Sequence, residues 1–489
     1  MSVAQPTRSS PRPVVLCVDV DGTLLRTDLL FESFLSLVKC RPWLLAAVPF
    51  WVLRGRSYLQ RQLARGTSFA NAPIPIRQDF LQYLQKESAT GRRIVLCSGS
   101  DEALVRRFAE QLKFPVEFFP STVHLKGRRK AQALVERFGS RRFDYAGDAM
   151  DDLPVWKQAH HAIVVNASSR LQLAAQALGN VILVLPRTRS AVSAFFRSLR
   201  ARQWLKNILV FVPLITSHSL FQGAQFANAA ISFLSMSLCA SFVYVVNDLM
   251  DVESDRTHRS KRKRPFAAGD LPIRVGLLTA PLLLAAGIIL SLLLPPMATV
   301  LLLTYVLTAT AYTFWFKHKM LADVILLSLL YTLRIVEGGA ATSILVSPWL
   351  LAFSLFLFIS FAFSKRVAEL ARVSTAEGIA GRGYLVADLA TLASLGGGSG
   401  FLACLVLSFY ISSENVRVLY AHPGWLWLLL PLLLNWMGRV WIVTMRGQMS
   451  DDPIDFVTRD VVTGLTLLCG GLILLLAMKC PIGPPGIQE

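Results

Sequence analysis

The sequence predicts a multi-domain chain in which an α/β domain is followed by an all-α polytopic membrane domain of nine transmembrane helices. Hydrophobic residues make up 53% of the 489 residues, which is more than an average soluble domain carries. They are unevenly distributed, because residues 1 to about 200 read as a soluble domain and the rest is long apolar runs broken by short charged loops. In the first part, acidic residues stand at the ends of predicted β-strands. These three observations together give the predicted architecture.

The formal net charge of +19 does not indicate nucleic-acid binding. The cations crowd next to apolar spans, where the retention of Lys and Arg on the cytoplasmic side of a membrane explains them. The seven cysteines are scattered without metal-ligand spacing, so no disulfide framework is predicted. The first 15 residues contain no apolar signal core, and we therefore expect the first domain to stay in the cytoplasm.

Nine windows of about 20 apolar residues are long enough to cross a bilayer. They lie near residues 205–222, 227–247, 275–294, 297–316, 321–341, 347–364, 388–411, 424–444 and 460–479. The loops that carry most of the charge are those near 248–274, 317–320, 365–387 and 445–459. Since Lys/Arg-rich loops stay cytoplasmic, one orientation fits: a multi-pass protein of the inner (plasma) membrane with its charged loops inside and its C-terminus outside.

The ionisable residues of the membrane domain are therefore expected at one face. A transporter is the alternative for nine helices, but transporters usually bury their key charges near the middle of the membrane. The pattern favours a membrane-embedded enzyme that takes a water-soluble substrate from the cytoplasm and a lipid from the bilayer.

Chemistry-bearing residues follow three predicted strands of the first domain. The strand in "PVVLCVDVDGTLL" runs into Asp19 and Asp21, and the strand in "RRIVLCSGSDE" ends in Ser98. The third strand, in "DYAGDAMDDLPVW", ends at Asp148, with Asp152 four residues later. The carboxyl ends of parallel strands line one crevice, so these side chains are expected to meet there. One carboxylate of such a pair can act as nucleophile and the other as general acid/base.

These motifs, with "HLKGRRKAQALVERF" between them, resemble the haloacid dehalogenase (HAD) phosphohydrolase superfamily over residues 13–185, which implies a Rossmann-like fold. The resemblance implies that Asp19 is the nucleophile that becomes aspartyl-phosphate and that Asp21 is the general acid/base. It also implies that Ser98 holds the phosphoryl oxygens and that Lys130 balances charge, with Lys126 as the less favoured choice. Asp148 and Asp152, together with Asp19, would hold Mg²⁺.

The third motif departs from the family, whose loop often reads GDGxND. Here it reads "GDAMDD", which loses a glycine and an asparagine but keeps both acids, Asp148 and Asp152. A degenerate phosphatase fold kept as a scaffold is the alternative. Because no catalytic position is missing, an active enzyme is favoured.

The segments around this domain have distinct compositions. Residues 1–12 are predicted to be disordered, residues 29–75 to form a small helical cap, and residues 186–202 to form a basic linker before a membrane domain at 203–482. Within the cap, the uncharged stretch after Arg41 has only about a dozen residues, too short to span a bilayer, and its Trp and Phe residues are flanked by arginines. They suit a helix resting on the membrane surface, or equally a plain buried cap helix.

The second acidic motif, "NDLMDVESD", directly follows a predicted span. On a helix, Asp248, Asp251 and Asp255 (spaced i, i+3, i+7) would fall along one face, with Asn247 beside them. A divalent cation that bridges the acids to a diphosphate would relieve the repulsion within this stripe. The cations of "RTHRSKRKRP" that follow can contact phosphate oxygens directly.

This motif resembles NDxxDxxxD of the UbiA superfamily of intramembrane prenyltransferases, over residues 195–480. The stretches "RARQWLKNILVFVPL", "DRTHRSKRKRPFAAG", "FKHKMLADVILLSLLYTLRIVEGG" and "SKRVAEL" are similar to the branch that transfers phosphoribosyl to decaprenyl phosphate. Aromatic-acceptor members carry a second DxxxD after the sixth helix. The loop 365–387 has only Glu369 and Glu377 among several cations, which suits a lipid monophosphate or a sugar 5-phosphate.

The resemblance implies transfer of 5-phosphoribosyl from its diphosphate to polyprenyl phosphate. Asp248, Asp251 and Asp255 would hold Mg²⁺, so that the chain would use at least two Mg²⁺ sites, and Lys261 and Arg264 would neutralise the departing diphosphate. The other residues expected near the sugar or lipid phosphates are Asn247, Lys206, Lys317, Lys319, Arg334, Lys365, Arg366 and Glu369. For each cation the alternative is a snorkelling anchor at the membrane boundary.

An attached HAD phosphatase could then remove the 5-phosphate from the lipid product. The alternative function is an aromatic-acceptor, quinone-type prenyltransferase with a HAD domain of regulatory or unrelated role. The sequence leaves lipid chain length and oligomeric state open.

Overall fold

The computed structural model describes residues 15–66, 74–119, 126–187, 190–372, 383–449 and 453–478. Several predicted features lie wholly or partly outside these residues: the N-terminal segment 1–12, positions 67–73 of the cap, 188–189 of the linker, 373–382 of the loop after the sixth helix, and 479–482. The chain divides into two compact units. The first comprises Met1–Arg200 and Tyr244–Pro281, and the second comprises Ala201–Val243 and Leu282–Glu489.

A six-stranded parallel sheet forms the centre of the first unit. Its strands are β1 (Val15–Val18), β2 (Arg93–Leu96), β3 (Glu117–Phe118), β4 (Phe143–Gly147), β5 (Ala162–Ala167) and β6 (Val181–Pro186). Their order, β3-β2-β1-β4-β5-β6, is that of a doubly wound α/β fold. The predicted α/β domain is therefore confirmed.

The central strands of the sheet are buried on both faces, which explains why β1 and β5 are continuous apolar runs rather than alternating ones. All four residues of β1 are buried. Leu16 and Val18 pack into a core that includes Phe80 and Phe108, whereas Cys17 on the opposite face packs with Trp156. In β1, Val18 pairs with Leu96 of β2 and with Ala146 of β4, so the residues that follow these strands emerge side by side.

In the described residues of this unit, nine α-helices precede or follow the strands up to Arg200. They are α1 (Leu29–Cys40), α2 (Val48–Leu53), α3 (Arg56–Gly66), α4 (Gln78–Ala89), α5 (Glu102–Ala109), α6 (Gly127–Phe138), α7 (Leu153–Gln158), α8 (Ser169–Gln176) and α9 (Ala191–Ser198). Where the cap is predicted, α1 to α3 and a 3₁₀ turn at Pro42–Ala47 form helical structure. In that stretch Trp51 is buried, but Trp43, Phe50 and Leu53 are 69%, 53% and 85% exposed, so a fully buried cap helix does not describe it.

The remaining helices belong to the membrane region. They are α10 (Val212–Thr216), α11 (Gly223–Met250), α12 (Val252–Thr257), α13 (Ile273–Ser291), α14 (Pro296–Phe314), α15 (Ala322–Thr342), α16 (Pro348–Leu370), α17 (Leu389–Ser412), α18 (Glu414–Leu419), α19 (Leu429–Met445), α20 (Pro453–Arg459) and α21 (Val461–Ala477). Among the described residues, seven helical spans are long and apolar enough to cross a membrane. They are Gly223–Met250, Ile273–Ser291, Pro296–Phe314, Ala322–Thr342, Pro348–Leu370, Val386–Ser412 and Pro423–Met445.

The count of nine is not confirmed, because the first and last predicted spans differ. Instead of one helix near 205–222, the chain forms a 3₁₀ segment, Ala201–Phe211, and the five-residue α10. The 3₁₀ segment carries buried Asn207, which donates to Ser237 at 2.9 Å. Pro213, which supplies no N–H, lies in the first turn of α10. The last span, α21, has 17 residues and covers about 26 Å, less than the ~30 Å of a bilayer core.

Candidate active sites

The first candidate site lies in the first unit, where β1 and β4 end. Asp19 follows β1 directly, and its N–H donates to the Ala146 carbonyl of β4 at 2.9 Å. Lys130, which points from α6, places its Nζ 2.6 Å from Asp19 Oδ1. Both side chains are largely buried, at 6% and 15% exposure, so each ion is held in place by the other.

Asp21 accepts hydrogen bonds on both carboxylate oxygens. Its Oδ2 accepts from Ser100 Oγ at 2.7 Å and Ser98 Oγ at 3.1 Å, and its Oδ1 accepts from the Leu29 N–H at 2.9 Å. Burial, reinforced by the nearby negative charge of Asp28, raises the pKa of Asp21 to about 6. A carboxyl group with this pKa can release and regain a proton near neutral pH, as general acid/base catalysis requires.

The loop after β4 supplies the other two carboxylates. Asp148 Oδ1 accepts from Thr23 Oγ1 at 3.2 Å. Asp152 accepts from Tyr145 at 3.0 Å and from the N–H groups of residues 148 and 149, both at 3.1 Å. Asp152 therefore fixes the shape of the loop that presents Asp148.

Gly22 makes this arrangement possible. Its φ of +80° is a conformation that L side chains rarely adopt, and a Cβ there would collide with the Asp148 carboxylate. The glycine of the "DGT" segment thus allows the backbone after β1 to lie directly against the carboxylate after β4.

The carboxylates of Asp19, Asp148 and Asp152 form a compact anionic cluster, because one oxygen from each lies within 4.8 Å of the others. Burial, together with the charge of Asp19, raises the pKa of Asp148 to about 7 and that of Asp152 to about 6. Burial also raises the pKa of Asp19, against the opposing effect of Lys130. Three crowded oxygen ligands whose ionised forms are destabilised by burial and mutual repulsion fit a hard divalent cation such as Mg²⁺.

Five of the residues predicted for this site line one cavity of about 370 Å³. They are Asp19, Asp21, Lys130, Asp148 and Asp152, and the less favoured Lys126 lines it too. Ser98 instead bonds to Asp21 and to the Ser100 N–H. Two residues of the site were not predicted from the sequence: Ser100, and the buried Arg77, which donates to the Gly22 carbonyl at 3.2 Å. The run "CSGSDE", with two serines, was the available signal for Ser100.

The second candidate site, also in the first unit, is built on the "NDLMDVESD" motif. The motif does not form one continuous helix, because α11 ends at Met250 and Asp251 stands before α12. The turn nevertheless keeps helical hydrogen bonding, from the Asp251 N–H to Asn247 and from the Asp255 N–H to Asp251. Asn247 is half-buried, whereas Asp248 and Asp255 are each 2% exposed.

Two arginines neutralise the buried acids. Arg264 Nη1 lies 2.7 Å from Asp255 and 3.1 Å from Asp248, and Arg200 lies 2.5 Å from Asp248 Oδ1 and 3.3 Å from Oδ2. Burial raises the pKa of Asp255, and Arg264 opposes this effect. Arg264 was predicted to act here, but Arg200 was missed, since nothing in the sequence links it to a motif 48 residues away. Lys261 lies in an exposed 3₁₀ turn, Lys261–Lys263.

This geometry bears on the predicted metal. Within the part of the chain that the structure describes, Asp248, Asp251 and Asp255 do not bring three ligand atoms as close together as the cluster around Asp19 does. A cation bound at Asp248 would need the guanidinium groups of Arg200 or Arg264 to move onto another anion, such as the phosphate of a bound substrate. The acids and the arginines together therefore suit a metal–diphosphate complex better than a bare ion.

In the second unit, the predicted cation Arg334 is buried inside α15. Its Nε donates to Asn207 at 2.8 Å and its Nη2 to Tyr305 at 2.9 Å, while Nη1 donates to the Leu330 carbonyl. Its donors are thus turned towards protein acceptors. Lys206 lies 5.7 Å from the centre of the Tyr331 ring, which Arg334 also contacts from 5.3 Å.

Arg366 forms a second buried network. Its Nε lies 2.6 Å from Asp323, its Nη1 lies 2.7 Å from Glu369, and its Nη2 donates to Tyr312 at 3.1 Å. Tyr384 also donates to Asp323, at 2.5 Å. The predicted excess of cations in this loop is therefore offset by Asp323, which was not predicted because it lies 43 residues before Arg366, in the segment "HKMLADV". Lys317 and Lys365 are both half-buried.

Comparison with known proteins assigns the family. The model of the UbiA prenyltransferase family matches residues 210–457. This chain belongs to that family. Similar proteins include an uncharacterized protein, y4nM, of Sinorhizobium fredii, 33% identical over 457 residues that cover 92% of this chain and 88% of the relative. Because that match spans most of both units, the α/β domain and the membrane domain occur together in a second chain.

Other relatives match shorter parts. The nodulation protein NoeC of Azorhizobium caulinodans is 30% identical over 56% of this chain and 89% of its own length. The decaprenyl-phosphate phosphoribosyltransferase of Mycolicibacterium smegmatis is 34% identical over 37% of this chain, which covers 58% of that enzyme. A UbiA homolog from Archaeoglobus fulgidus bound to GPP and Mg²⁺ is similar with a TM-score of 0.45 and 15% identity, over 58% of this chain and 98% of that one.

Proposed function

We propose that the chain is a bifunctional membrane enzyme that makes a polyprenyl-phosphoryl ribose in two steps. The transferase half moves 5-phosphoribosyl from its diphosphate to polyprenyl phosphate, and the N-terminal half removes the 5-phosphate. Family membership supports a UbiA-type transferase. The similarity to phosphoribosyltransferases over about a third of the chain supports this donor and acceptor.

In the transfer step, a phosphate oxygen of the lipid attacks C1 of the ribose as the bond from C1 to the diphosphate breaks. The diphosphate leaves with the bonding electron pair. The attacking oxygen is already ionised at neutral pH, so no strong base is required. Asp248, Asp251 and Asp255 would hold Mg²⁺, which supplies positive charge to the diphosphate. Arg264 and Arg200 both lie against Asp248 and are placed to bind the charge that develops on the leaving group.

The observation that carries the phosphatase half is the pairing of Lys130 with Asp19 beside Asp21, at the carboxyl edge of the sheet. Asp19 Oδ attacks phosphorus, the ester oxygen leaves, and protonated Asp21 gives that oxygen its proton. Asp21 then takes a proton from water, the water oxygen attacks the aspartyl-phosphate, and inorganic phosphate and free Asp19 result. Lys130 balances the charge on Asp19 throughout. Mg²⁺ held by Asp19, Asp148 and Asp152 would add charge neutralisation at the phosphoryl group.

The two activities form a chemical sequence. The transfer product still carries the 5-phosphate of the donor, and a phosphomonoester is the substrate that the N-terminal site is suited to bind. We also propose that the chain lies in the inner membrane with both sites on the cytoplasmic side, since the donor is water-soluble and charged.

One observation favours a second candidate, an aromatic-acceptor prenyltransferase with a regulatory N-terminal domain. Asp323 and Glu369 place two carboxylates next to the segment in which such enzymes carry a second acidic motif. Arg366 lies between these carboxylates and neutralises them, so the sugar-phosphate donor remains the better-supported proposal.

The transfer step is tested with membranes that contain the full chain, labelled 5-phosphoribosyl diphosphate and polyprenyl phosphate. We expect label in the lipid fraction, and we expect Asp251→Asn to lose most of it while Glu253→Gln, in the same motif, does not. Label that stays in the aqueous phase, together with prenyl transfer from a prenyl diphosphate to an aromatic ring, would favour the second candidate.

The phosphatase step is tested by phosphate release from a sugar 5-phosphate. Asp19→Asn is expected to abolish release, whereas Glu136→Gln, an exposed change on the helix that carries Lys130, is expected to leave it unchanged. Equal release by the two variants would show that Asp19 is not the nucleophile.

A further inference from the structure

The cavity around Asp19 has a wall that the α/β domain does not supply. Besides residues of the sheet domain, it is lined by Gly269, Asp270, Pro272, Ile273 and Arg274, which lead into α13. All of these residues belong to the first compact unit. The phosphatase cavity is therefore completed by the segment that enters a candidate membrane span.

This wall is packed closely against the sheet domain. Gly269 has φ +68°, and a Cβ there would collide with the backbone oxygen and the Cβ of Arg26. Arg26 donates to the Ala268 carbonyl at 3.3 Å and lies 3.7 Å from Asp270, whose side chain is 2% exposed. Arg197 adds a contact to Asp270 at 3.0 Å. The wall is thus fixed by a buried carboxylate shared between two arginines.

The cavity has two electrostatic parts. One part is the cluster of Asp19, Asp148 and Asp152. The other consists of arginines from separate segments, Arg26, Arg77, Arg187 and Arg274, of which Arg26 is paired with Asp270. Burial lowers the pKa of Arg77, and the nearby charges of Arg26 and Arg187 lower it further. A bound anion would relieve the repulsion between these arginines. In the proposed phosphatase reaction one phosphoryl group lies at Asp19, so an anion near the arginines would be a second one.

The wall formed by residues 269–274 limits which part of a lipid ligand can enter the cavity. Arg274 is the second residue of α13, and Leu278, one helical turn or about 6 Å further along, is 66% exposed on a span apolar enough to face lipid. A cavity of about 370 Å³ lies near the lower end of the range for small-molecule sites, about 300–1,000 Å³, and fits a head group but not a long lipid chain.

From these observations we propose that the cavity is a head-group site for a membrane-anchored phosphate ester that carries a second, internal phosphate, with Arg187 and Arg274 binding that second phosphate. This inference rests on the proposed phosphatase activity and deepens it. The monoester would lie over Asp19, the sugar would fill the cavity, and the phosphodiester that joins sugar to lipid would lie beside Arg274, where the chain can continue into the bilayer.

The test compares three substrates of the full-length protein in lipid nanodiscs. They are ribose 5-phosphate, the same sugar with a methyl phosphodiester at C1, and the polyprenyl phosphodiester. We expect kcat/KM to rise from the first to the second because of the added phosphate, and again to the third because of the lipid. Arg274→Gln and Arg187→Gln should each lower the preference for the two diesters over ribose 5-phosphate about tenfold, through KM, as loss of one charge-assisted hydrogen bond does.

Two further variants control this comparison. Arg274→Lys keeps the positive charge and should recover part of the preference, and Arg170→Gln removes an exposed arginine from α8 and should have no effect. The proposal is overturned if the wild-type protein hydrolyses all three esters equally well, or if Arg274→Gln and Arg187→Gln match Arg170→Gln. Hydrolysis of none of the three esters would instead overturn the phosphatase assignment itself.

Discussion

A buried ion pair inside the first unit predicts a local loss of stability that can be measured. Glu32 of α1 receives Arg256 of α12 on both oxygens, with Nη2 2.5 Å from Oε1 and Nη1 3.2 Å from Oε2, and also accepts from Thr27 at 2.7 Å. The two charged side chains are 6% and 5% exposed. The pair therefore joins the cap segment to the segment that carries the membrane-side acidic motif.

Replacing Arg256 by alanine leaves the Glu32 carboxylate buried with Thr27 as its remaining hydrogen-bond donor among these contacts. Breaking a buried pair in this way typically costs about 3–5 kcal/mol, because the remaining charge has lost its compensation. A nearby pair offers a matched control. Lys39 lies 2.8 Å from Glu253, but these side chains are 43% and 33% exposed, so Lys39→Ala should cost about 0–1 kcal/mol.

Hydrogen–deuterium exchange of the full-length protein measures both variants in the same peptides. We expect Arg256→Ala to speed exchange in α1 and α12 about 100-fold, since about 3 kcal/mol of local stability corresponds to that factor. Lys39→Ala should change exchange in the same peptides less than about fivefold. Equal, small effects of the two substitutions would refute the assignment of Glu32 and Arg256 as the contact that joins these segments.

Three further predictions follow from other contacts. Burial and the charge of Asp19 raise the pKa of Asp148 to about 7 in the folded protein, whereas its unfolded value is about 4. The folded protein therefore holds this proton more tightly than the unfolded chain, and it loses stability as the pH rises from about 4 through 7. In EDTA, the temperature of thermal unfolding should fall over that pH range. Asp148→Asn should remove up to about 4 kcal/mol of this dependence, and an unchanged pH profile would contradict the burial argument. Gly338→Ala should destabilise the second unit by about 1–3 kcal/mol in detergent melts, because the added Cβ meets the Val210 carbonyl; a melt equal to wild type would show that α15 can move away. Tyr384→Phe should cost about 1–3 kcal/mol in the same assay by removing the hydrogen bond to buried Asp323, and no change would mean that another donor replaces it.

The sequence predicted the α/β site better than the membrane site, for a physical reason. Parallel strands bring their carboxyl ends to one edge whatever lies between them, so Asp19 and Asp148 could be placed together from strand ends alone. Lys130 and Asp19 are 111 residues apart, so no local sequence rule connects them. The order of the motifs along the chain nevertheless indicated that they lie in one site. Ser100 lines the cavity and Ser98 does not, and this difference depends on a loop conformation that residue type does not determine.

In the membrane region, hydropathy located seven spans, but the first and the last of the nine predicted spans are not confirmed. Mean hydropathy does not register that buried Asn207 needs a hydrogen-bond partner inside the unit or that Pro213 favours the first turn of a new helix. The pairings of Arg200 with Asp248 and of Asp323 with Arg366 were also invisible, because both join residues more than 40 positions apart without any periodicity. Counting charge loop by loop therefore overstated the net positive charge near Glu369, because Asp323 from another segment pairs with Arg366.

The double-labelled donor gives the most direct test of the two-step account. Membranes receive 5-phosphoribosyl diphosphate with ³²P in the 5-phosphate and ¹⁴C in the ribose, together with polyprenyl phosphate. With the wild-type chain, the account predicts ¹⁴C in the lipid and ³²P released as inorganic phosphate. With Asp19→Asn, both labels should remain in the lipid, at the same ratio of ³²P to ¹⁴C as in the donor. If the wild-type and Asp19→Asn chains give lipids with the same ratio of ³²P to ¹⁴C, the N-terminal site does not act on the product of the transferase.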